Sequence, residues 1–155
     1  MNLKLGDKAP DFSAPDQEGK VRTLTEFAGK WVLLYFYPKD DTSGCTKQAC
    51  DIRDNFPAFE KLNVQVLGVS ADSSESHKQF EEKYQLPFTL LADEKKDIIN
   101  AYGVWGPKFK FGRWFEGIQR TSFLIDGEGK IAQIWESVWP EKHVGQVLEF
   151  LKDRT

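Results

Sequence analysis

The stretch from Trp31 to Tyr37 reads W-V-L-L-Y-F-Y, and this apolar run decides the fold class. A short continuous apolar run is typical of a strand that is buried on both faces of a sheet. The residues from Cys45 to about Phe56 predict a helix, and Pro57 allows a break before a second helical stretch from Ala58 to Leu62. A buried strand followed by a helix predicts the start of an α/β fold.

The alternation of strands and helices continues to the end of the chain. Further strands are predicted at Val64 to Ser70, Phe88 to Leu91, Thr121 to Ile125 and Ile131 to Trp135. Further helices are predicted from the capping box at Asp72 to about Tyr84, from Lys95 to Tyr102 and from Lys142 to Lys152. The turn sequence D-G-E-G at Asp126 to Gly129 predicts antiparallel pairing of the last two strands. The pattern predicts a central mixed sheet flanked by helices, with an N-terminal extension that forms a small hairpin or an irregular lead-in.

Length and charge limit the classes of function. The chain has 155 residues and a net charge of −3, which predicts one domain over residues 1–155 and no general affinity for nucleic acid or membrane surfaces. The longest apolar run is too short to cross a bilayer, and the first seven residues lack the apolar core of a signal peptide. We therefore expect a soluble cytoplasmic protein. His77 and His143 lie in polar helical contexts without the spacing of metal ligands, so no metal site is expected.

Cys45 and Cys50 are the only cysteines, and they follow the first buried strand. A helix start offers unpaired N–H groups and a positive dipole end, which favour a thiolate, so Cys45 is the candidate nucleophile. Residues five apart in an ideal helix have Cα atoms about 8.6 Å apart, whereas a disulfide needs about 4.4 to 6.8 Å. Either the two cysteines never pair, or the first helical turn unwinds when they do.

The residues around Cys45 carry a specific resemblance. Pro38, Thr42 and Cys45 form the pattern Pro-x-x-x-Thr-x-x-Cys, which resembles the peroxidatic motif of the peroxiredoxins. The spacing of Cys45 and Cys50 within Gly-Cys-Thr-x-x-Ala-Cys is similar to that of the Q class, also called bacterioferritin comigratory proteins. Later segments starting at Gly103 and at Arg120 match the family in the same order. The resemblance covers nearly the whole chain and implies a thioredoxin-like fold.

The resemblance also implies an activity, that of a thiol peroxidase for hydrogen peroxide and small organic hydroperoxides. Cys45 attacks the peroxide and becomes a sulfenic acid, and Cys50 resolves it to an intramolecular disulfide. The resemblance implies that Thr42 hydrogen-bonds the peroxide oxygen or the thiolate and that Pro38 shields the site. It also implies that Arg120 faces the pocket from a strand, lowers the pKa of the thiolate and holds the peroxide. Thioredoxin or a similar dithiol protein reduces the disulfide, no cofactor or metal is implied, and a monomer is expected with a dimer allowed.

Ser43 departs from the family, which commonly has proline before Gly-Cys. Serine loosens the restraint on the loop, and we expect an altered rate rather than a lost activity. Arg53 competes with Arg120 for the role of active-site cation, but its distance along the helix favours a structural role. Asp40 and Asp41 are predicted to be a solvated loop pair that points away from the thiolate.

Several alternatives stay open. Cys50 could be unreactive while an external thiol resolves, and Thr42 could be a simple helix cap. The aromatic segment from Val104 to Phe115 is either an exposed partner surface or collar, or a loop that packs its rings on the core. Trp135 and Trp139 are predicted to pack. A dithiol–disulfide oxidoreductase or a non-catalytic redox-sensing or holdase module would also use two cysteines, although oxidoreductases on this fold commonly have Cys-x-x-Cys.

Overall fold

A computed structural model describes residues 2–154, so Met1 and Thr155, the ends of the predicted domain, lie outside the described residues. The described strands are β1 (Ser13–Pro15), β2 (Val21–Thr23), β3 (Trp31–Phe36), β4 (Val64–Ser70), β5 (Thr89–Ala92), β6 (Trp105–Lys110), β7 (Arg113–Ile118), β8 (Thr121–Ile125) and β9 (Ile131–Trp135). The α-helices are α1 (Ser43–Asp54), α2 (Phe56–Lys61), α3 (Ser74–Tyr84), α4 (Asp97–Ala101) and α5 (His143–Leu151), and a 3₁₀ helix covers Leu24–Phe27. No described helix is long and apolar enough to cross a membrane.

Five strands form a central mixed sheet in the order β5-β4-β3-β8-β9. The strands β3, β4 and β5 are parallel, because helical crossovers join them, while β8 and β9 are antiparallel to their neighbours. Helices lie against both faces, as the alternation of strands and helices predicts. Strands β1 and β2 form a separate antiparallel hairpin in the N-terminal segment, one of the two arrangements expected there.

The side chains of β3 alternate between two apolar cores. Val32, Leu34 and Phe36 pack on one face of the sheet with residues of α4 and the N-terminal segment. Leu33 and Tyr35 pack on the other face with residues of α1, α2, α3 and α5. This double burial explains why β3 is an unbroken apolar run rather than an alternating one.

The predicted helices agree with the structure apart from their ends. Helix α1 begins at Ser43, two residues before Cys45, and it ends at Asp54. The break occurs at Asn55, and Pro57 falls in the first turn of α2, where its missing N–H has no helical acceptor to lose. Cys45 is therefore inside the first turn of α1 rather than at its first residue.

The prediction for the aromatic segment missed an element. Strands β6 and β7 pair antiparallel through a two-residue turn, Phe111-Gly112, and form a hairpin beside the central sheet. Both turn residues have positive φ, of 56° and 75°, which is a geometry usually signalled by Asn-Gly. Phenylalanine at the first position concealed the turn. The expectation that Trp139 packs is also wrong, because its side chain is 60% exposed, whereas Trp135 packs edge-on against Phe150.

Candidate active site

Cys45 lies just beyond the carboxyl end of β3, in the first turn of α1. Its thiol is free and its side chain is buried. The first backbone hydrogen bond of the helix runs from the N–H of Thr46 to the carbonyl of Thr42, at 2.8 Å. The N–H groups of Gly44 and Cys45 therefore have no acceptor inside the helix. Together with the helix dipole, they can stabilise negative charge on the sulfur.

Arg120 brings a positive charge to this sulfur. Its Nη2 donates to the Sγ of Cys45 at 3.3 Å, and its Nη1 donates to Oε1 of Gln48 at 2.6 Å. Arg120 was expected on a strand, but it lies in the connection between β7 and β8, one residue before β8. Its side chain still reaches the thiol, where a guanidinium can hold both a thiolate and a peroxide oxygen.

A buried hydrogen-bonded chain holds Arg120 in place. Gln48 lies three residues after Cys45 on α1, and its Nε2 is 3.1 Å from Nδ1 of His143. The Nε2 of His143 is 2.7 Å from the hydroxyl of Ser122 on β8. Burial, together with repulsion from Arg120, lowers the pKa of His143 to about 4. The ring is thus neutral at pH 7, so Nδ1 can accept from Gln48 while the amide oxygen of Gln48 accepts from Arg120.

The burial of the two histidines was not predicted from the sequence. His143 and His77 are both fully buried, His77 in a mostly polar helix and His143 at the start of the amphipathic helix α5. The Nδ1 of His77 is 2.7 Å from Oδ2 of Asp40, and its Nε2 is 2.9 Å from the carbonyl of Leu91. Each ring forms hydrogen bonds with residues that are distant in sequence. These partners satisfy the buried ring nitrogens, and the neighbouring residues in the sequence do not reveal them.

The loop between β3 and α1 is anchored to α3. The buried carboxylate of Asp40 accepts hydrogen bonds from the hydroxyls of Tyr37, at 2.6 Å, and Ser76, at 2.8 Å. Asp41, at φ 57°, accepts from Lys83 and Tyr84, both at 2.7 Å. The hydrogen bond from Lys83 is the main cause that lowers the pKa of Asp41. The expected solvated pair is thus wrong for Asp40, whose carboxylate fixes the loop that leads to Cys45.

The group of Asp40, Asp72 and His77 has its potential metal ligands within 4.8 Å of one another. Their atoms are already engaged, because Asp72 accepts from the Asp40 N–H at 2.9 Å and from the hydroxyl of Ser70 at 2.6 Å. Both ring nitrogens of His77 also face protein oxygens. The group therefore acts as a hydrogen-bonded anchor for the loop.

Thr42 and Pro38 flank this loop. Thr42 is the N-cap residue of α1 by its backbone, but its side chain accepts no hydrogen bond from the helix. The hydroxyl instead donates to the carbonyl of Lys39 at 2.9 Å, so the simple cap interpretation is wrong. Pro38 is half-buried at the start of the loop.

Cys50 lies in the middle of α1, half-buried, with a free thiol. Both cysteines are inside one continuous helix, which holds their Cα atoms beyond disulfide range. Arg53 donates through Nη1 to the carbonyl of Tyr84 at 2.7 Å and so joins α1 to the end of α3. This contact supports a structural role for Arg53.

An open groove of about 640 Å³ lies next to Arg120. Phe109, Trp139 and Pro140 contribute apolar surface to it, and Lys108 and Glu136 contribute charge. Lys108 donates to the carbonyl of Ile118 at 2.8 Å, and partial burial, with repulsion from Arg120 as a smaller cause, lowers its pKa. The groove gives a small molecule with an apolar part a route to the guanidinium.

A buried thiol in the first turn of a helix, with an arginine that donates a hydrogen bond to its sulfur, defines a thiol-based redox site. The site lies at the carboxyl end of a central strand of an α/β sheet. The AhpC/TSA family model matches residues 5–134, and the chain belongs to this family. It is 48% identical over 151 residues to Peroxiredoxin Bcp of Escherichia coli strain K12, covering 97% of each chain. It is 44% identical over 153 residues to Peroxiredoxin Bcp of Bacillus subtilis strain 168, covering 99% of this chain and 98% of that one.

Solved structures give the same assignment. A mutant of Xanthomonas campestris Peroxiredoxin Q superimposes with a TM-score of 0.90 at 36% identity, covering 99% of this chain and 98% of that one. A mutant of Xylella fastidiosa PrxQ superimposes with a TM-score of 0.92 at 31% identity, covering 98% and 97%. The predicted thioredoxin-like fold and the predicted membership of the Q-class peroxiredoxins are confirmed.

The residues that support Arg120 were not predicted from the sequence. Gln48 could have been found, because residues three apart on a helix share a face and Gln48 follows Cys45 by three. His143 and Ser122 gave no such signal. His143 contacts Gln48, and Ser122 contacts His143, only because α5 packs on the sheet. Asp40 and His77 were likewise hidden in polar segments.

Proposed function

We propose that the chain is a thiol-dependent peroxidase in which Cys45 attacks hydrogen peroxide or a small organic hydroperoxide. The contact that carries the proposal is the 3.3 Å approach of Arg120 Nη2 to the Cys45 sulfur in a helix start with free N–H groups. The family of the chain and its Bcp relatives support the same reaction. A Xanthomonas campestris relative, a Bacterioferritin Comigratory Protein, has structures described as informing its alkyl peroxide reduction activity.

The first step forms a bond between the Cys45 sulfur and one peroxide oxygen while the oxygen–oxygen bond breaks. The electron pair of that bond leaves with the second oxygen, which takes a proton and departs as water or an alcohol. Cys45 becomes a sulfenic acid. Arg120 and the N–H groups of Gly44 and Cys45 supply the donors that stabilise the negative charge moving across the two oxygens. Thr42 adds a hydroxyl at the edge of the loop, and Pro38 shields the approach.

The second step is attack of the Cys50 thiolate on the sulfur of the sulfenic acid. A disulfide forms and the oxygen leaves as water. Since the intact helix α1 keeps the two Cα atoms apart, residues between Cys45 and Cys50 must leave their helical conformation first. That movement displaces Gln48, and Arg120 then loses its 2.6 Å acceptor.

A dithiol protein such as thioredoxin is the proposed reductant, and it returns both cysteines to thiols by exchange. The proposed unit is a monomer of one domain, with no cofactor or metal, and the proposed compartment is the cytoplasm. The bacterial Bcp relatives support this setting.

Stopped-flow tryptophan fluorescence of the reduced protein with hydrogen peroxide tests the mechanism, run beside Cys45→Ser and Cys50→Ser. We expect a fast change that Cys45→Ser abolishes, and in Cys50→Ser a sulfenic acid that a dimedone reagent traps on Cys45. Peptide mapping of the oxidised wild type should find the Cys45–Cys50 disulfide. A wild-type rate no faster than that of free cysteine would refute the peroxidase and favour a redox-sensing module.

A further inference from the structure

We propose that the tip of the β6–β7 hairpin docks onto an anionic lipid surface. Of eight large apolar side chains exposed among the described residues, five lie in this hairpin. They are Trp105 (37% exposed), Phe109 (59%), Phe111 (90%), Trp114 (70%) and Phe115 (42%). The register places Trp105, Phe109 and Trp114 on one face of the hairpin and Phe115 on the opposite face. This concentration of exposed rings in one hairpin indicates an interaction site. The proposal is independent of the peroxidase reaction.

The turn residue Phe111 belongs to neither apolar core of the domain. Its φ of 56° lies in the left-handed region, which is unfavourable for a bulky side chain and suits asparagine or glycine. Its ring is 90% exposed, and the ammonium of Lys110 lies 5.3 Å from the ring centroid. A strained, exposed aromatic residue at a projecting turn is better explained by an intermolecular contact than by hairpin formation.

Basic side chains flank this tip. Lys110 and Arg113 are directly opposite each other in the strand register, next to the turn, and both are exposed. Neither forms an ion pair with another described residue, so both charges are available to a partner. The hairpin has three basic residues and one acidic residue, Glu116, although the whole chain has a net charge of −3. The negative net charge of the whole chain, which predicted no general membrane affinity, does not reveal this local excess of positive charge in the hairpin.

The shape of the tip favours a lipid surface over a protein partner. Aromatic rings with neighbouring lysine or arginine are the groups that settle at the headgroup level of a bilayer, and each basic residue adds attraction to anionic lipids. A protein interface needs about 800 Å² on each partner, with close shape complementarity. A two-residue turn that projects from the domain can enter a headgroup layer but offers little flat area.

Docking at the tip leaves the groove beside Arg120 open. Strand β7 runs from Arg113 to Ile118 before the chain reaches Arg120, and this separates the tip from the start of the next segment by about 17 Å. The groove beside Arg120 is lined by hairpin residues only as far as Phe109, and Lys110, Phe111 and Arg113 at the tip are not part of it. A molecule bound at the tip and a peroxide at Cys45 therefore occupy different places.

Co-sedimentation of the full reduced chain with lipid vesicles tests the proposal. We expect binding at least tenfold stronger to vesicles of phosphatidylglycerol and phosphatidylcholine than to phosphatidylcholine alone, and weaker binding as salt increases. Phe111→Asn should reduce binding about tenfold while it keeps or raises the melting temperature, because asparagine suits the turn. The double variant Lys110→Gln, Arg113→Gln should remove the preference for anionic lipid.

Val21→Asn is the matched control, since Val21 is 59% exposed on β2, outside the hairpin. It should bind vesicles like the wild type, and hydrogen peroxide turnover of Phe111→Asn should be unchanged. Equal binding to both vesicle types, or no binding, overturns the proposal. A concentration-dependent dimer that Phe111→Asn dissociates, without vesicle binding, also overturns it and assigns the tip to self-association.

Discussion

Gln48 accepts a 2.6 Å hydrogen bond from Arg120, the residue whose other terminal nitrogen lies 3.3 Å from the Cys45 sulfur. Because Gln48 and Cys45 are three residues apart on α1, the sulfur and the acceptor that orients the guanidinium share one helical face. The arrangement exists only while this turn is helical. The disulfide step proposed for Cys45 and Cys50 therefore dismantles the site that performs the first step.

Replacement of Gln48 by methionine keeps the side-chain length and removes the acceptor. We expect the rate constant for hydrogen peroxide to fall about tenfold, since Arg120 loses the bond that fixes its orientation. Stopped-flow fluorescence measures this rate. Gln146→Met, at an exposed position of α5, is the control and should react like the wild type. An unchanged rate in Gln48→Met would show that the Cys45 contact alone holds Arg120.

Replacement of Gly44 by alanine tests the close approach of Arg120 to the helix start. A Cβ at Gly44 would lie 3.2 Å from Nη2 of Arg120 and 3.5 Å from Pro140. The guanidinium must then shift by a few tenths of an ångström, and we expect peroxide reduction to slow at least tenfold. Gly145→Ala on α5 meets nothing within 4 Å; it should stabilise the fold by about 0.5–1 kcal/mol and leave the rate unchanged.

Replacement of Ser43 by proline should stabilise the first turn of α1. Ser43 is the first helical residue, and Thr42 before it is extended at ψ 159°, which proline accepts. We expect about 0.5–1 kcal/mol of added stability. Disulfide formation between Cys45 and Cys50 should slow, because the turn that must unwind is stiffer.

Ser74→Pro provides the comparison for Ser43→Pro. Ser74 is the first residue of α3, and Ser73 before it is extended at ψ 164°. A similar gain in stability without slower disulfide formation is expected there. If both variants resolve at the wild-type rate, the first turn of α1 does not limit the resolving step. Quenched-flow thiol trapping gives the rate for each variant.

Replacement of Tyr35 by phenylalanine should stabilise the protein by about 1 kcal/mol. The buried Tyr35 hydroxyl has no hydrogen-bond partner among the described residues, and a buried unsatisfied polar group is costly. Tyr37→Phe should have the opposite sign and destabilise by about 1–2 kcal/mol, because the Tyr37 hydroxyl donates to Asp40 at 2.6 Å. Urea unfolding of the two variants decides whether hydrogen bonding, rather than ring packing, separates them.

The stability of the fold should depend on pH through His143. Its pKa is lowered to about 4 in the folded protein, while an unfolded histidine titrates near about 6.5. The unfolded chain therefore binds more protons between these values. The contribution of His143 is complete above pH 6.5 and is lost as the pH falls towards 4, by roughly 3 kcal/mol.

Urea unfolding at pH 7 and pH 4.5 measures this loss in the wild type and in His143→Asn. Asparagine does not titrate and can still accept from Gln48, so the variant should lose about 2 kcal/mol less than the wild type over this range. Equal losses in the two proteins would mean that other groups account for the acid sensitivity. The wild type should be the more stable of the two at pH 7.

Local sequence was enough to predict the central elements and to single out the candidate nucleophile. The continuous apolar run of β3 and the helical segment after it are local signals, and the predicted boundaries differ from the observed ones by one or two residues. Cys45 and Arg120 were both identified from motif residues, and the structure brings them together. The β6–β7 hairpin was missed because Phe111 occupies a position that a turn normally gives to asparagine.

The sequence alone thus determined the strands of the central sheet, the main helices and the candidate nucleophile, because hydrophobic pattern and position at a helix start are local properties. Only the tertiary structure decided what surrounds that thiol. Gln48, His143 and Ser122 come from α1, α5 and β8, and they meet because those elements pack on one another. A buried polar side chain needs a partner, and the partner is chosen by packing across the sheet rather than by neighbours along the chain.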